Sequence, residues 1–103
     1  MATSVIKQFS NPLHDAKIYH AEGQNSISVP TPITSWTSGL LIGNLNGVGN
    51  FVGYFIGDNT FTPIYHPIAG SVNAENLVLS SGNGKITIQS ANGNAFSRIT
   101  VIA

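Results

Sequence analysis

Apolar and polar residues alternate along this chain in short runs, broken by Gly, Pro, Asn or Asp roughly every ten residues, the spacing of an all-β chain. No window of eleven residues keeps apolar positions at i, i+3, i+4 and i+7 without an interrupting Gly, Pro or Asn, so helix is not expected. Ala16 to Ala21 is a short candidate strand, and Ser26 to Val29 alternates Ser-Ile-Ser-Val before Pro30 and Pro32 stop it. Proline cannot donate to a β ladder, which places Pro30 to Pro32 at an edge or in a connection. The middle of the chain is the most apolar: Leu40-Leu41-Ile42, then Phe51 to Ile56. Gly57-Asp58-Asn59 reads as a hairpin turn into Thr60 to Tyr65, because these residue types tolerate the positive φ of tight turns.

The last third predicts a C-terminal β-meander. Asn76 to Ser80 turns through Ser81-Gly82-Asn83-Gly84 into Lys85 to Gln89, and Asn92-Gly93-Asn94 leads into Phe96 to Ile102. Ile86 and Ile88 share one face, opposite Lys85, Thr87 and Gln89; Ile99 and Val101 oppose Phe96, Arg98 and Ile102. The fold class expected is therefore all-β: an antiparallel β-sandwich or jelly-roll-like domain spanning 1–103. Residues 1–35 read as an arm or connector, and 36–103 as the core head. Phe51 to Ile56 and Leu77 to Leu79 look apolar on both faces, whereas a two-layer sandwich buries one face per sheet. The second apolar face calls for either a barrel-like closure or a partner subunit, and central strands of an ordinary monomeric core are the competing reading. The scarcity of charge favours the partner, and a homotrimer built on Phe51 to Ile56 or on the final strand is the expected assembly.

Charge strengthens that picture. Four basic and four acidic residues give a net charge of zero, and Asn, Ser, Thr and Gly together supply 41 of the 103 residues. So little charge gives identical copies little reason to stay apart. Lys7, Lys17, Lys85 and Arg98 are isolated, which excludes the clustered cations of a nucleic-acid binder. No apolar run approaches the roughly twenty residues of a membrane span, and Met1 to Ser10 is too polar for a secretory signal. None of the eleven asparagines is followed two positions on by Ser or Thr, so no glycosylation acceptor exists. Cysteine is absent, removing disulfides and thiolate chemistry. This composition suits an extracellular or virion component released by lysis.

Candidate chemistry is sparse. Asp15, Glu22, Asp58 and Glu75 form no close pair for acid–base work, and no nucleophile motif occurs, so no enzyme is expected. The glycines from Gly43 to Gly53 precede strand rather than helix, and read as bends and close strand packing instead of a phosphate cradle. His20 and Glu22 lie two apart on one strand face, with His14, Asp15 or His66 as a third ligand; hydrogen-bonded surface histidines explain the same residues, and no metal or other cofactor is assigned. Trp36, Tyr54, Asn59, Tyr65 and His66 combine stacking faces with neutral hydrogen-bonding groups, the chemistry of a shallow saccharide site. Burial of Trp36 and Tyr54 as core anchors is the competing reading.

From residue 36 onward the chain also resembles a known type. The run Ile42-Gly43-Asn44-Leu45 after Trp36, the apolar central strand, and Gly84-Lys85-Ile86-Thr87-Ile88-Gln89-Ser90-Ala91-Asn92-Gly93 before a final strand resemble the C-terminal tip domains of phage tail fibres and receptor-binding proteins. The loop after Leu45 departs from that pattern, being Asn46-Gly47-Val48-Gly49-Asn50 with no proline. The resemblance implies a homotrimeric head on a virion, attaching to a host-surface glycan or protein beside other virion proteins. Two further classes fit the same residues: a head-decoration or fibre-stabilising protein without receptor contact, and a small monomeric carbohydrate-binding lectin module.

Overall fold

Turn chemistry lays out the chain, and distant pairings complete it. The computed structural model describes residues 17–30, 37–57 and 63–103. These residues form eight strands: β1 (Ile18–Ala21), β2 (Ser26–Pro30), β3 (Thr37–Leu45), β4 (Gly49–Gly57), β5 (Ile64–Gly70), β6 (Leu77–Gly82), β7 (Lys85–Ser90) and β8 (Phe96–Ile102). A single 3-10 turn at Ala74–Asn76 leads into β6. All pairings are antiparallel, in a five-stranded sheet of order β1-β8-β3-β4-β5 and a three-stranded sheet of order β2-β7-β6. The expected all-β antiparallel sandwich is what forms. Its apolar cluster joins Val29, Leu77, Leu79, Ile86 and Ile88 of the smaller sheet to Leu41, Phe51, Phe55, Tyr65, Phe96, Ile99 and Val101 of the larger. Burying each such side chain contributes about 1.5–3 kcal/mol relative to leaving it in water.

Where the chain turns tightly the residues suit the geometry. Asn83 (φ 54) and Gly84 (φ 73) close the β6–β7 hairpin with both residues in the left-handed region. The β3–β4 turn spans residues 46–48, with Gly47 at φ 81 and the Val48 N–H donating to the Leu45 carbonyl at 3.0 Å. The other glycines of β3 and β4 serve packing. Gly39 lies beneath Phe55, whose Cε1 would be 2.7 Å from an added Cβ, and Gly53 lies beneath the Tyr65 ring. Three core aromatics, Phe51, Phe55 and Tyr65, thus stand among residues with no side chain, and Phe51 meets Tyr65 edge-on at 6.0 Å.

The structure rearranges three of the expectations. Only the first half of the C-terminal meander is one: β6 and β7 form a hairpin, but β7 is flanked by β2 on its other edge, so β8 crosses to the larger sheet between β1 and β3. The corner is made by Ser90, buried, whose hydroxyl donates to the Asn94 carbonyl at 2.6 Å, and by Gly93 at φ 80. The true meander is β3-β4-β5, and β8 returning beside β3 gives the strand order of a Greek key. Secondly, residues 17–30 of the expected arm belong to the sandwich: β1 pairs with β8, β2 pairs with β7, and Val29 is fully buried. Thirdly, Phe96 faces the core with Ile99 and Val101, because a register shift opposite Asn44 and Leu45 skips Ser97 and flips the alternation.

Candidate functional site

The two outer surfaces of the sandwich differ sharply in chemistry. On the three-stranded sheet the outward positions are Ser26, Ser28, Ser80, Lys85, Thr87 and Gln89, together with Val78, Pro30 and Gly82. The Ser28 and Thr87 hydroxyls bond across the strands at 2.9 Å. This is the ordinary solvated face of an antiparallel sheet.

On the five-stranded sheet the outward positions are mainly apolar, interspersed with Ser38, His20, His66 and Thr100. Register places Ile18, Ile102, Leu40, Tyr54 and His66 in one row crossing all five strands. The next row holds His20, Thr100, Ile42, Val52 and Ala69, and on the other side lie Ser38, Ile56 and Ile64. Leu40, Ile42 and Ile56 are each 43–45% exposed, and Ile64 is 59% exposed. Ile68 is the extra residue of a β-bulge in β5 and is also exposed. Isolated surface aliphatics are commonplace, but a contiguous exposed apolar field marks an interaction surface.

Polar groups frame this field. At one end Ser97 Oγ donates to Asn44 Oδ1 at 2.7 Å, and Asn44 Nδ2 donates to Asn50 Oδ1 at 2.8 Å, beside Arg98. At the β1 edge His20 Nε2 donates to Glu22 Oε1 at 3.0 Å, while Nδ1 lies 3.2 Å from Thr100 Oγ1 and accepts from it in the neutral ring. Both ring nitrogens of His20 are therefore occupied by protein partners. The metal pairing envisaged for His20 and Glu22 is, in this geometry, a direct hydrogen bond; His14 and Asp15 lie outside the described residues. An apolar centre with a polar rim is the anatomy of a protein contact.

The five saccharide candidates are distributed unevenly. Tyr54 and His66 come together as a stacked pair on the outer face, ring centroids 4.9 Å apart and planes at 21°. Tyr65 points the other way: it is 1% exposed, over Gly53 in the core, and so presents no ring face to a ligand. Strand alternation accounts for this, since adjacent residues 65 and 66 must face opposite sides. Burial pushes the Tyr65 hydroxyl above its usual pKa, and that hydroxyl finds no hydrogen-bond partner among the described residues. Trp36 and Asn59 lie outside the described residues. Around the Tyr54–His66 pair the strand neighbours Leu40, Val52, Ile56, Ile64 and Ile68 are aliphatic, so among these described neighbours the two rings alone offer polar side-chain groups to a ligand.

Sequence reasoning passed over Ile18, Leu40, Ile42 and Ile64 as functional residues, while Ile102 and Ile56 fell within the segments expected to form an interface. Leu40 and Ile42 were visible as part of the apolar run Leu40-Leu41-Ile42; the row joining Ile18 to Ile102 was not, because it exists only once β8 has paired on both sides. Comparison of the chain with protein families, with curated proteins and with solved structures returns no match. The functional reading rests on the geometry.

Proposed function

We propose that this domain is a structural subunit of an extracellular, virion-type particle, and that it acts by surface contact in a homo-oligomer. The observation that carries the reading is the uncharged apolar outer face of the five-stranded sheet, set against a polar outer face on the other sheet. The fibre-tip resemblance supports a trimer and a position at the outside of a particle, where such a head meets a host surface. Light scattering across micromolar concentrations tests the assembly. A mass above that of the single chain, three times it for the trimer, is expected; a monomer throughout overturns the proposal.

One observation favours a second reading, that of a lectin-like or receptor-binding site for a glycan: the exposed Tyr54–His66 stack offers an aromatic platform. Both readings use the same surface. In the assembled form Tyr54 and His66 are covered and host contact falls to other surfaces, whereas a monomer whose saccharide binding is lost on Tyr54→Ala would establish the glycan site. The aliphatic surroundings of the pair favour the assembled form, because a sugar desolvates several hydroxyls that need partners.

A further inference from the structure

We infer that the apolar face of the five-stranded sheet is covered by the same face of another copy of this chain, with β3 of each copy nearest the symmetry axis. This rests on the homo-oligomer reading above and specifies its surface. Three observations name the occupant. Among the described residues the face is uncharged: its apolar rows carry no Asp, Glu, Lys or Arg, and the charged side chains Arg98 and Glu22 stand at the rim. A charged foreign partner would lose hydration against it and gain no counter-charge, whereas a copy brings an equally uncharged field.

Size also matches. With strands ~4.8 Å apart and a rise of ~3.3 Å per residue, five strands by three outward rows give a footprint on the order of 24 Å by 20 Å. Side-chain relief carries that area toward the roughly 800 Å² per partner of a stable protein interface. A single added strand or a helix about 10 Å across would cover less than half of the width. An identical five-stranded face covers all of it at once.

The polar rim supplies the third observation. Asn44, Asn50 and Ser97 satisfy one another at one end, and His20, Glu22 and Thr100 do so at the β1 edge. These groups can border a buried interface without being left unpaired, which is what a repeated contact between copies requires. Because β3 is the middle strand of the order β1-β8-β3-β4-β5, maximal overlap of two or three such faces brings Leu40 and Ile42 closest to their own counterparts.

The absence of cysteine makes the test clean, since each introduced thiol is unique. Leu40→Cys, Ile42→Cys and, on the opposite outer surface, Val78→Cys are prepared in the full chain. Circular dichroism confirms that each is folded, and each is oxidised at low micromolar concentration beside a light-scattering measurement of the unmodified chain. Disulfide-linked pairs are expected for Leu40→Cys and Ile42→Cys and not for Val78→Cys. A two-fold assembly links all chains, and a three-fold assembly strands the odd chain of each trimer; either pattern supports the inference. An oligomeric mass with linkage only at Val78→Cys, or at none of the sites, would place the contact elsewhere and overturn the inference while leaving the homo-oligomer intact. A monomeric mass with no linkage overturns both. As an independent variant, Ile42→Lys should lose the oligomeric mass while keeping the β spectrum; an unchanged mass counts against the face.

Discussion

Tyr65 shows what a single position contributes. Its ring fills the space left by Gly53 and packs edge-on against Phe51, but its hydroxyl is carried into the core unpaired among the described residues. Leaving a buried hydroxyl without a partner costs about 1–3 kcal/mol, so Tyr65→Phe should leave the chain as stable at neutral pH, or more stable by up to about 1 kcal/mol. The pH dependence has a definite sign. A phenol whose pKa is raised in the fold from the ordinary 10.0 keeps its proton there when the unfolded chain has lost it, so stability is intact below pH 10 and falls as pH rises beyond it. Urea unfolding at pH 8 and pH 11 should show a larger loss between the two for the native chain than for Tyr65→Phe. An equal loss would mean that the phenol titrates alike in the folded and unfolded chain, against a hydroxyl held in the core.

At the level of elements, the β7–β8 corner decides the topology. Ser90 Oγ holds the Asn94 carbonyl, Asn94 Nδ2 donates to the Asn46 carbonyl at 2.8 Å, and the Asn46 N–H donates to the Ala95 carbonyl at 3.0 Å. The corner is thereby tied to the β3–β4 turn of the larger sheet. Ser90→Ala removes one of these bonds and leaves the Asn94 carbonyl short of a donor, an expected cost of about 1–2 kcal/mol, with amide exchange at 91–95 rising most. Loss of stability without that local rise would speak against the corner's role. Local turn chemistry made the β6–β7 hairpin legible, since Asn83-Gly84 between alternating strands admits one arrangement. The strand alternation of Ile86 and Ile88 against Thr87 and Gln89 was legible in the same way. The sheet change of β8 was not, because nothing near residues 91–95 reveals that β2 already occupies the far edge of β7. The same limit hid the split between Tyr65 and His66: alternation says that they face opposite ways, and only the packed sandwich says which of them faces water.

For the whole molecule, the contrast between the two outer faces carries thermodynamic weight. A face of Ile18, Leu40, Ile42, Ile56 and Ile64 left in water gains free energy on association, and association that requires the fold stabilises it by mass action. The melting temperature of the native chain should therefore climb with protein concentration, and Ile42→Lys should abolish that climb. A concentration-independent melting temperature in the native chain would show that the face contributes nothing in solution.

One feature of the larger sheet governs how such a molecule comes into being. β8 is an interior strand whose neighbours are β1, some 80 positions earlier, and β3, some 60 earlier; Ile18 and Leu40 both register against Ile102. Until the stretch 96–102 is in place, β1 has no ladder to join and β3 keeps one side open, so the locally connected β3-β4-β5 meander is the part of the sheet that can pair without it. Closing loops of that length before any contact rewards them is entropically slow, and domains of such high contact order fold in about milliseconds to seconds. During that interval the β3-β4-β5 meander already displays its apolar outer face beside an unsatisfied edge. Part of the chain's most association-prone surface is thus laid down before Ile18 and Ile102 complete it, and copies crowded together during synthesis would meet first through partly built sheets.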